Sequence, residues 1–294
     1  MLTLAQFFKQ CALPLSEARM LVAEVLQVSR AWMIAHDDYE LSAEQEQQLQ
    51  TMAQRRLQGE PMAYILGERE FMGLVFRTNP AVLIPRPDTE VLVETALAYL
   101  EGLLKQDAET IPPTQTLPTL RVLDMGTGSG AIALSIAHYQ PQAQVLASDF
   151  SPEALQLAQQ NAQHLSLKNV DFVLSDWFQA IPAQQFDLIV SNPPYIHKDD
   201  EHLQQGDLRF EPQQALTDFA DGLSAIRQII GGAPAYLKPG APLWIEHGWD
   251  QAASVRALLE QAGFEHVESR QDLAGIERIS GGFWTSEGLS AGQL

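Results

Sequence analysis

At residues 124–130 the sequence is Asp-Met-Gly-Thr-Gly-Ser-Gly, a glycine-rich stretch that follows the strand pattern Arg121–Asp124 and leads into a helical pattern. Glycine has no Cβ, so such a stretch can turn sharply and bring its backbone close to a ligand. A strand, a glycine-rich turn and a helix form the first unit of many α/β folds. The stretch therefore predicts an α/β fold with a ligand site at the end of this strand.

The alternation of strand and helix continues after residue 130. Helical patterns over 152–164 and 222–237 lie between short apolar runs that are typical of buried strands. Further strands are predicted at Gln144–Asp149, Val170–Leu174, Phe186–Val190 and Pro242–Glu246. Strands joined by helices in this way form a mostly parallel sheet covered on both faces, and ligands bind beyond the carboxyl ends of its strands.

Residues 1 to about 75 differ from this region, because they show helical spacing without strand alternation. Ser16 is predicted to cap a helix over 17–26. Ser42 and Gln45 have the spacing of a capping box at the start of a second helix. The pattern predicts a small helical unit ahead of the α/β fold.

The segment between the two regions is predicted to be extended. Phe71–Pro80 has the pattern of a strand and a turn, and prolines disfavour helix in Val82–Pro87. A helix is expected from about Asp88, with Asp88 or Thr89 as its cap. Lys105–Thr119 contains three prolines and is predicted to be an exposed connector.

Composition and charge exclude several classes of protein. The chain has 294 residues, 46% of them hydrophobic, and a formal net charge of −19. An acidic surface repels a phosphate backbone, so no direct nucleic-acid partner is expected. The sequence has no signal-peptide pattern and no apolar run near the roughly 20 residues that cross a bilayer, so no membrane partner is expected. With a single cysteine, Cys11, these features predict a cytoplasmic protein if the source is bacterial.

The glycine stretch alone leaves two classes of ligand open. Gly126, Gly128 and Ala131 also satisfy the dinucleotide pattern G-x-G-x-x-G/A, so a nicotinamide cofactor fits as well as S-adenosylmethionine. Asp149 ends the second strand, where its carboxylate can accept hydrogen bonds from ribose hydroxyls. Asp176-Trp177 ends the third, where an acid beside an aromatic ring suits an adenine. Both cofactors carry ribose and adenine, so these residues do not distinguish them.

Asn192-Pro-Pro-Tyr195 distinguishes them. It follows the strand expected beside the first, so it should face the glycine stretch. An amide nitrogen is a weak nucleophile because its lone pair is delocalised. The Asn192 side-chain carbonyl and a backbone carbonyl of Pro193-Pro194 can accept its two N–H bonds, while Tyr195 stacks on the planar group. This arrangement favours methyl transfer from S-adenosylmethionine to a planar nitrogen, and a nicotinamide enzyme has no use for it.

Together these motifs resemble those of the class I S-adenosylmethionine methyltransferases. Four other segments narrow the resemblance, namely PMAYILG at 61–67, LIPRPDTE at 83–90, GDLRFEP at 206–212 and IEHG at 245–248. They are similar to segments of the PrmC (HemK) family, the peptide-chain release factor N5-glutamine methyltransferases. The similarity extends from about residue 15 to about residue 282.

The resemblance implies an architecture and an activity. It implies a helical N-terminal domain at 1–75 that recognises the release factor and a hairpin linker at 76–94. Residues 95–294 should form a Rossmann-like methyltransferase domain, whose mostly parallel seven-stranded sheet ends in an antiparallel strand. The implied reaction is N5-methylation of the glutamine in the Gly-Gly-Gln motif of class-one release factors.

The resemblance also assigns residues, position by position. The methyl donor is assigned to Gly126, Thr127, Gly128, Ser129, Gly130, Asp149, Trp177 and Asn192. The catalytic and substrate-binding tetrapeptide is Asn192, Pro193, Pro194 and Tyr195, and Arg86 and Glu90 are expected to help form the wall of the substrate pocket.

Other functions stay open on the sequence. Ribosomal-protein glutamine methyltransferases share N-P-P-Y, although the unbroken Ile84–Glu90 favours the release factor enzymes. An adenine-N6 methyltransferase of nucleic acids is opposed by the net charge of −19. An NAD-dependent oxidoreductase and a non-catalytic binding module are the remaining alternatives. No metal is expected at His197 and His202, because methyl transfer to an amide needs no Lewis acid.

Overall fold

Five helices form the N-terminal part of the computed structural model, which describes residues 2–110 and 118–285. They are α1 (Leu4–Gln10), α2 (Leu15–Leu26), α3 (Arg30–Ala35), α4 (Ala43–Leu57) and α5 (Met62–Leu66). Their apolar faces meet in one core, in which Leu21 and Leu49 are fully buried. No helix in the described ranges is both long and apolar enough to span a membrane.

Of the two helix caps predicted in the N-terminal part, one is confirmed. The Ser42 side chain accepts a hydrogen bond from Gln45 N, and the Gln45 side chain accepts one from Ser42 N, which completes the capping box of α4. The prediction for Ser16 was wrong, because α2 begins at Leu15. Pro14 is the N-cap residue of that helix, and a proline side chain has no oxygen that could accept a capping hydrogen bond, so the helix starts without a side-chain cap.

A β-hairpin follows the helices, with strands β1 (Glu68–Phe71) and β2 (Leu74–Arg77) paired antiparallel. The two turn residues, Met72 and Gly73, have φ of 52° and 71°, as a tight two-residue hairpin turn requires. Two predictions are corrected here. The strand expected from Phe71 is interrupted by this turn, and the hairpin expected in the linker at 76–94 ends at Arg77.

Helix α6 (Glu90–Thr110) begins directly after a 3₁₀ turn at Pro87–Thr89, slightly later than predicted. It continues through Lys105–Thr110, which had been predicted as connector. Leu103 and Leu104 explain the difference, because they pack against the sheet core and extend the helix. The prolines at 112 and 113 lie outside the described residues.

The other strands are β3 (Leu120–Met125), β4 (Ala143–Asp149), β5 (Val170–Leu174), β6 (Leu188–Ser191), β7 (Pro242–Glu246), β8 (Phe264–Gln271) and β9 (Glu277–Trp284). They form one seven-stranded sheet in the order β5-β4-β3-β6-β7-β9-β8. Six of these strands run in one direction, and β9, between β7 and β8, runs antiparallel to them, so the predicted fold class is confirmed. The winding direction reverses at β3 and β6, which are adjacent and parallel.

The helices that cover the sheet are α7 (Ala131–Tyr139), α8 (Pro152–His164), α10 (Ser224–Gly232) and α11 (Ala252–Gln261), and a short α9 spans Gln213–Leu216. Successive residues of a strand point to opposite faces. In β3, Val122 therefore joins the core formed with α6 and α7, while Leu123 joins the core formed with α10 and α11. Both residues are fully buried, so the sheet has a core on each face.

The helical part contacts a loop near the carboxyl edge of the sheet. Arg56 of α4 forms an ion pair with Asp207, with Nη1 and Oδ1 3.3 Å apart. Arg209 Nη2 donates to the carbonyl oxygen of Gln58 at 2.9 Å. These contacts hold the loop between β6 and α9 against the N-terminal helices.

Candidate active site

A cleft lies beyond the carboxyl ends of β3, β4 and β6. This is where the winding reverses, the position at which open parallel sheets bind ligands. The lining residues that follow strands of the sheet include Gly126, Thr127, Gly128, Ser129, Asp149, Trp177, Asn192 and Pro194. Its opposite wall includes Val82, Leu83, Pro85, Arg86, Thr89 and Gln214. Residues that are far apart in the sequence therefore share one cavity.

The glycine stretch forms a tight turn beneath this cleft. Gly126 N donates to the carbonyl oxygen of Ser148 at 2.8 Å, which ties the turn to β4. Gly126, Gly128 and Gly130 have φ of 71°, 56° and 84°, in the left-handed region that favours glycine. A Cβ at Gly130 would lie 2.9 Å from Leu134 Cδ1, whereas a Cβ at Gly128 would meet no atom within 4 Å. Gly130 is therefore needed for packing, and Gly128 leaves space in the cleft.

Two buried carboxyl groups lie at this turn. Asp149 accepts hydrogen bonds from Gly128 N and Ser151 N, both at 2.9 Å. Asp124 Oδ2 accepts from the Thr127 hydroxyl at 2.6 Å, while its Oδ1 has no hydrogen-bond partner in the described part of the chain. Burial raises the pKa of both groups, that of Asp124 to about 7. A cationic ligand would favour their charged forms.

Trp177 follows β5 at the same edge of the sheet and has a strained backbone conformation. Its φ is 47°, and the Ser175 hydroxyl donates to its carbonyl oxygen at 2.7 Å while accepting from Ala180 N at 2.9 Å. A Cβ at Gly126 would lie 3.9 Å from Asn192 O and 4.0 Å from Trp177 Cζ3. The glycine turn, the tryptophan ring and the asparagine therefore meet, as the strand order predicted.

The cavity extends past Trp177 into a more open region. Asp176 lines it together with Phe150 and Phe219, whose side chains are largely exposed. Sequence reasoning predicted an adenine near Asp176 and Trp177 but did not single out Phe150, although it directly follows Asp149. An exposed aromatic ring at this position offers a flat apolar surface for a base.

Asn192 is held by a hydrogen bond outside its own tetrapeptide. Its Nδ2 donates to Thr89 Oγ1 at 3.3 Å. The other polar atom of this carboxamide is the side-chain oxygen, Oδ1. The proposed chemistry requires that oxygen as the acceptor for a substrate N–H. Pro194 lines the cleft, and Pro193 is buried behind it. The rigid pair thus fixes the backbone directly after the asparagine.

Tyr195 is placed beside the cleft and is not among its lining residues. Its hydroxyl donates to Glu246 Oε1 at 3.1 Å, and its carbonyl oxygen accepts from Gln251 Nε2 at 3.0 Å. Gly222, with φ of 77°, passes so close that a Cβ there would lie 2.4 Å from Tyr195 O. The predicted stacking of the tyrosine ring on a substrate amide stays a prediction.

Of the two residues expected in the pocket wall, one lines the cleft. Arg86 does so, and its guanidinium pairs with the buried carboxylate of Glu211, which also accepts from Ile84 N at 3.0 Å. Glu90 does not, because its Oε1 accepts from Met72 N at 3.0 Å in the hairpin turn. This contact ties the hairpin to the first turn of α6, where a negative charge is favoured, and a place for Glu90 in the substrate pocket stays a prediction.

Sequence reasoning gave no role to Thr89 beyond a helix cap, and none to Glu211 or Glu246. All three lie in segments that were quoted for the family resemblance, at 83–90, 206–212 and 245–248. That was the only signal for them. Their partners are distant in the sequence, so a linear pattern could not show the contacts.

The histidines near the site contact other residues of the protein. His247 is fully buried, with Nδ1 2.9 Å from Gly248 O and Nε2 2.7 Å from Ser280 Oγ. His202 Nδ1 lies 2.7 Å from Asp200 Oδ1 at the surface. Across residues 2–110 and 118–285, no group of three or more His, Cys, Asp and Glu side chains is placed to hold a metal ion.

The residues around the cleft fit S-adenosylmethionine. Asp149 retains free lone pairs for the two ribose hydroxyls, since each of its oxygens can accept a second hydrogen bond. Asp149 lines this end of the cleft, and a carboxylate there suits the positive charge of a sulfonium. Gly128 leaves its Cβ position empty at the cleft wall, so a ligand can approach the backbone.

We expect Gly128→Ala to weaken cofactor binding by about tenfold or more, because the new methyl group occupies ligand space. Gly275→Ala is a matched control, since Gly275 also has a positive φ, 80°, and an open Cβ position, but it is remote from the cleft. Both variants should lose about 1–2 kcal/mol of stability to backbone strain. Calorimetry with S-adenosylhomocysteine separates them, and equal affinities would contradict the placement of the cofactor at Gly128.

Comparisons with known proteins agree with this geometry. A family model described as "Methyltransferase domain" matches residues 117–285, and one described as "PrmC N-terminal domain" matches residues 3–67. A release factor glutamine methyltransferase of Bordetella pertussis is 57% identical over 272 residues, covering 92% of this chain and 95% of that protein. The protein of the same name from Escherichia coli is 45% identical over 267 residues, 91% of each chain.

A solved structure supports the fold independently. The crystal structure of a methyltransferase from Pyrococcus furiosus superposes with a TM-score of 0.51 at 17% sequence identity, covering 80% of this chain and 98% of the other. At this identity the likeness concerns the arrangement of strands and helices only.

Proposed function

The chain belongs to the family of release factor glutamine methyltransferases, and we propose that it methylates N5 of the glutamine in the Gly-Gly-Gln motif of class-one peptide-chain release factors. Its cofactor is S-adenosylmethionine. The observation that carries the proposal is the position of Asn192 in the cleft wall, with its Nδ2 bound to Thr89 and its oxygen available to a substrate amide.

The cofactor supplies a methyl group on a positively charged sulfur, which makes that carbon an electrophile. The residues assigned to hold it are Gly126, Thr127, Gly128, Ser129, Gly130, Asp149, Trp177 and Asn192. Seven of them line the cleft, and Gly130 supports the turn by packing on α7. Asp149 would orient the ribose, and the ring of Trp177 would cover the base beside Phe150.

The protein's part in the reaction is to position a weak nucleophile. We assign one N–H of the substrate amide to Asn192 Oδ1 and the other to a backbone carbonyl of Pro193-Pro194. Both acceptors are fixed before the substrate arrives, because Asn192 is bound to Thr89 and proline restricts the backbone. Hydrogen bonds from both N–H groups favour the pyramidal nitrogen that can attack, and preorganised dipoles of this kind lower the barrier most effectively. Water can take the proton that the methylated nitrogen loses.

We also assign release factor recognition to the helical part at 1–75. Its contacts support this, because Arg56 and Gln58 of that part bind the loop that carries Asp207 and Arg209. The same loop leads into Gln214 at the cleft wall. A partner held by the helices would therefore lie beside the site. The net charge of −19 favours a protein partner over a nucleic acid.

Methyl transfer to purified release factor tests the proposal. The protein, a labelled methyl donor and unmethylated release factor are mixed, and the product is digested and mapped by mass spectrometry. We expect one methyl group on the glutamine of the Gly-Gly-Gln motif, because the two carbonyl acceptors match a carboxamide NH₂.

A release factor with glutamate in place of that glutamine is the control and should stay unlabelled. Ribosomal protein and nucleic acid are offered in parallel reactions. Label in either of these, with none in the release factor, would overturn the proposal in favour of the corresponding alternative.

A further inference from the structure

The middle of the catalytic tetrapeptide, Pro193-Pro194, has no backbone hydrogen-bond donor of its own. Each proline ring restricts φ but leaves ψ free, and ψ determines the direction in which the carbonyl group of that residue points. The orientation of the carbonyl that is to accept a substrate N–H therefore depends on how the chain is held on either side of the two prolines.

Gln251, directly before α11, holds the chain on the far side. Its Nε2 donates to the carbonyl oxygen of Tyr195 at 3.0 Å and to that of Gly222 at 3.2 Å, and its Oε1 accepts from Gly248 N at 2.8 Å. A carboxamide has two N–H donors, and here both meet carbonyl oxygens. The same partners fix which end of the carboxamide is the oxygen, because the backbone N–H must face an acceptor.

The peptide group between Tyr195 and Ile196 is enclosed on its other sides as well. Gly222 has φ of 77°, and a Cβ there would lie 2.4 Å from Tyr195 O and 2.8 Å from Gln251 Nε2. The N–H of Ile196 donates to the carbonyl oxygen of Leu216 at 2.9 Å. Both polar atoms of this peptide group are therefore bound by residues outside the tetrapeptide.

We propose that Gln251 is a positioning residue for methyl transfer: its NH₂ group fixes the Tyr195 carbonyl and so sets the direction of the proline carbonyl that accepts a substrate N–H. On the near side, Asn192 is bound to Thr89. The two prolines thus connect two fixed points and have little freedom to rotate. This inference rests on the proposed function, because the proline carbonyl matters only if the substrate presents an amide N–H.

The same side chain also supports the start of α11, and a variant has to separate the two roles. Gln251 N donates to Gly248 O at 3.0 Å and Gln251 Oε1 accepts from Gly248 N, which is half of a capping box. Gln251→Glu retains that oxygen, and a glutamate is equally suited to the first turn of a helix. The variant loses only the NH₂ group and places an oxygen against two carbonyl oxygens.

Gln251→Glu is therefore expected to lower kcat for methylation of release factor by about tenfold or more, through the loss of the hydrogen bonds and the new repulsion. Affinity for S-adenosylhomocysteine, measured by calorimetry, should stay near its original value, because Gln251 does not line the cleft or its open extension. If Gln251 served only the helix, Gln251→Glu would keep full turnover, and that result would overturn the proposal.

Asn169→Asp is the matched control. Asn169 is half-buried, as Gln251 is, and its Nδ2 also donates to two carbonyl oxygens, those of Ala137 at 3.0 Å and Ala143 at 2.9 Å. Ala143 begins β4, so these contacts lie at the opposite end of the sheet from the cleft. We expect a similar fall in melting temperature and a normal kcat. An equal fall of kcat in the two variants would overturn the proposal, because loss of stability would then explain both.

Hydrogen exchange of the Ile196 amide, followed by NMR, separates this inference from the proposed function because it needs no turnover. We expect exchange about tenfold faster in Gln251→Glu, since the peptide group has lost one of its two partners, and unchanged exchange in Asn169→Asp. Unchanged exchange in Gln251→Glu would refute the inference even if release factor is methylated. A protein that methylates no release factor but shows the faster exchange would refute the proposed function alone.

Discussion

Asn192→Ala is expected to lower kcat for methyl transfer to release factor by about 10²-fold or more, as the loss of one preorganised polar contact to a reacting group usually does. The side chain hydrogen-bonds only to Thr89 among the described residues, so its removal should leave the fold intact. Single-turnover measurements with saturating methyl donor isolate this effect on the chemical step.

Asn79→Ala is a suitable control for that experiment. Asn79 lies on the segment that leads to the cleft wall, but it is exposed, and its side chain accepts only from Ala81 N, at 2.9 Å. The turnover of Asn79→Ala should be close to that of the original protein. Near-normal turnover in Asn192→Ala, with the melting temperature unchanged, would show that Asn192 does not take part in the mechanism.

The second large effect is expected for Asp149→Ala, which should weaken binding of S-adenosylhomocysteine by roughly 10²-fold. Charge-assisted hydrogen bonds contribute about 1.5–3 kcal/mol each, and this carboxylate has a free lone pair on both oxygens for the ribose. Asp149→Asn retains one acceptor oxygen and should lose less. Calorimetry gives both affinities directly.

Asp149 also accepts from Gly128 N and Ser151 N, so its variants need a check on folding. Asp171→Ala provides the comparison, because Asp171 is an exposed carboxylate on the neighbouring strand β5 and accepts only from Gln144 Nε2, at 3.0 Å. Unchanged affinity in a folded Asp149→Ala would show that this residue does not hold the ribose.

The fold of the sheet and the position of the site could be predicted because both follow from short-range patterns. Buried parallel strands are continuous apolar runs, so Val170–Leu174 and Pro242–Glu246 were predicted with the bounds that the structure has. The glycine turn, Asp149, Trp177 and Asn192 each end a strand. Parallel strands bring those ends to one edge, which is why the four meet in the cleft.

The errors arose where tertiary contacts override local pattern. The run from Phe71 to Phe76 has the composition of one strand, yet Met72 adopts φ of 52°, and the hydrogen bond from its N to Glu90 stabilises that turn. Nothing in the sequence shows this bond, because 18 residues separate its partners. The pairing of Tyr195 with Glu246 was hidden for the same reason, at a separation of 51 residues.

The most direct test of the central claim is a crystal structure of the protein with S-adenosylhomocysteine and a peptide that contains Gly-Gly-Gln. We expect the glutamine side-chain nitrogen within hydrogen-bond distance of Asn192 Oδ1 and of a Pro193-Pro194 carbonyl oxygen, facing the cofactor sulfur. A glutamine amide bound elsewhere, or a tetrapeptide at 192–195 turned away from the sulfur, would contradict the account.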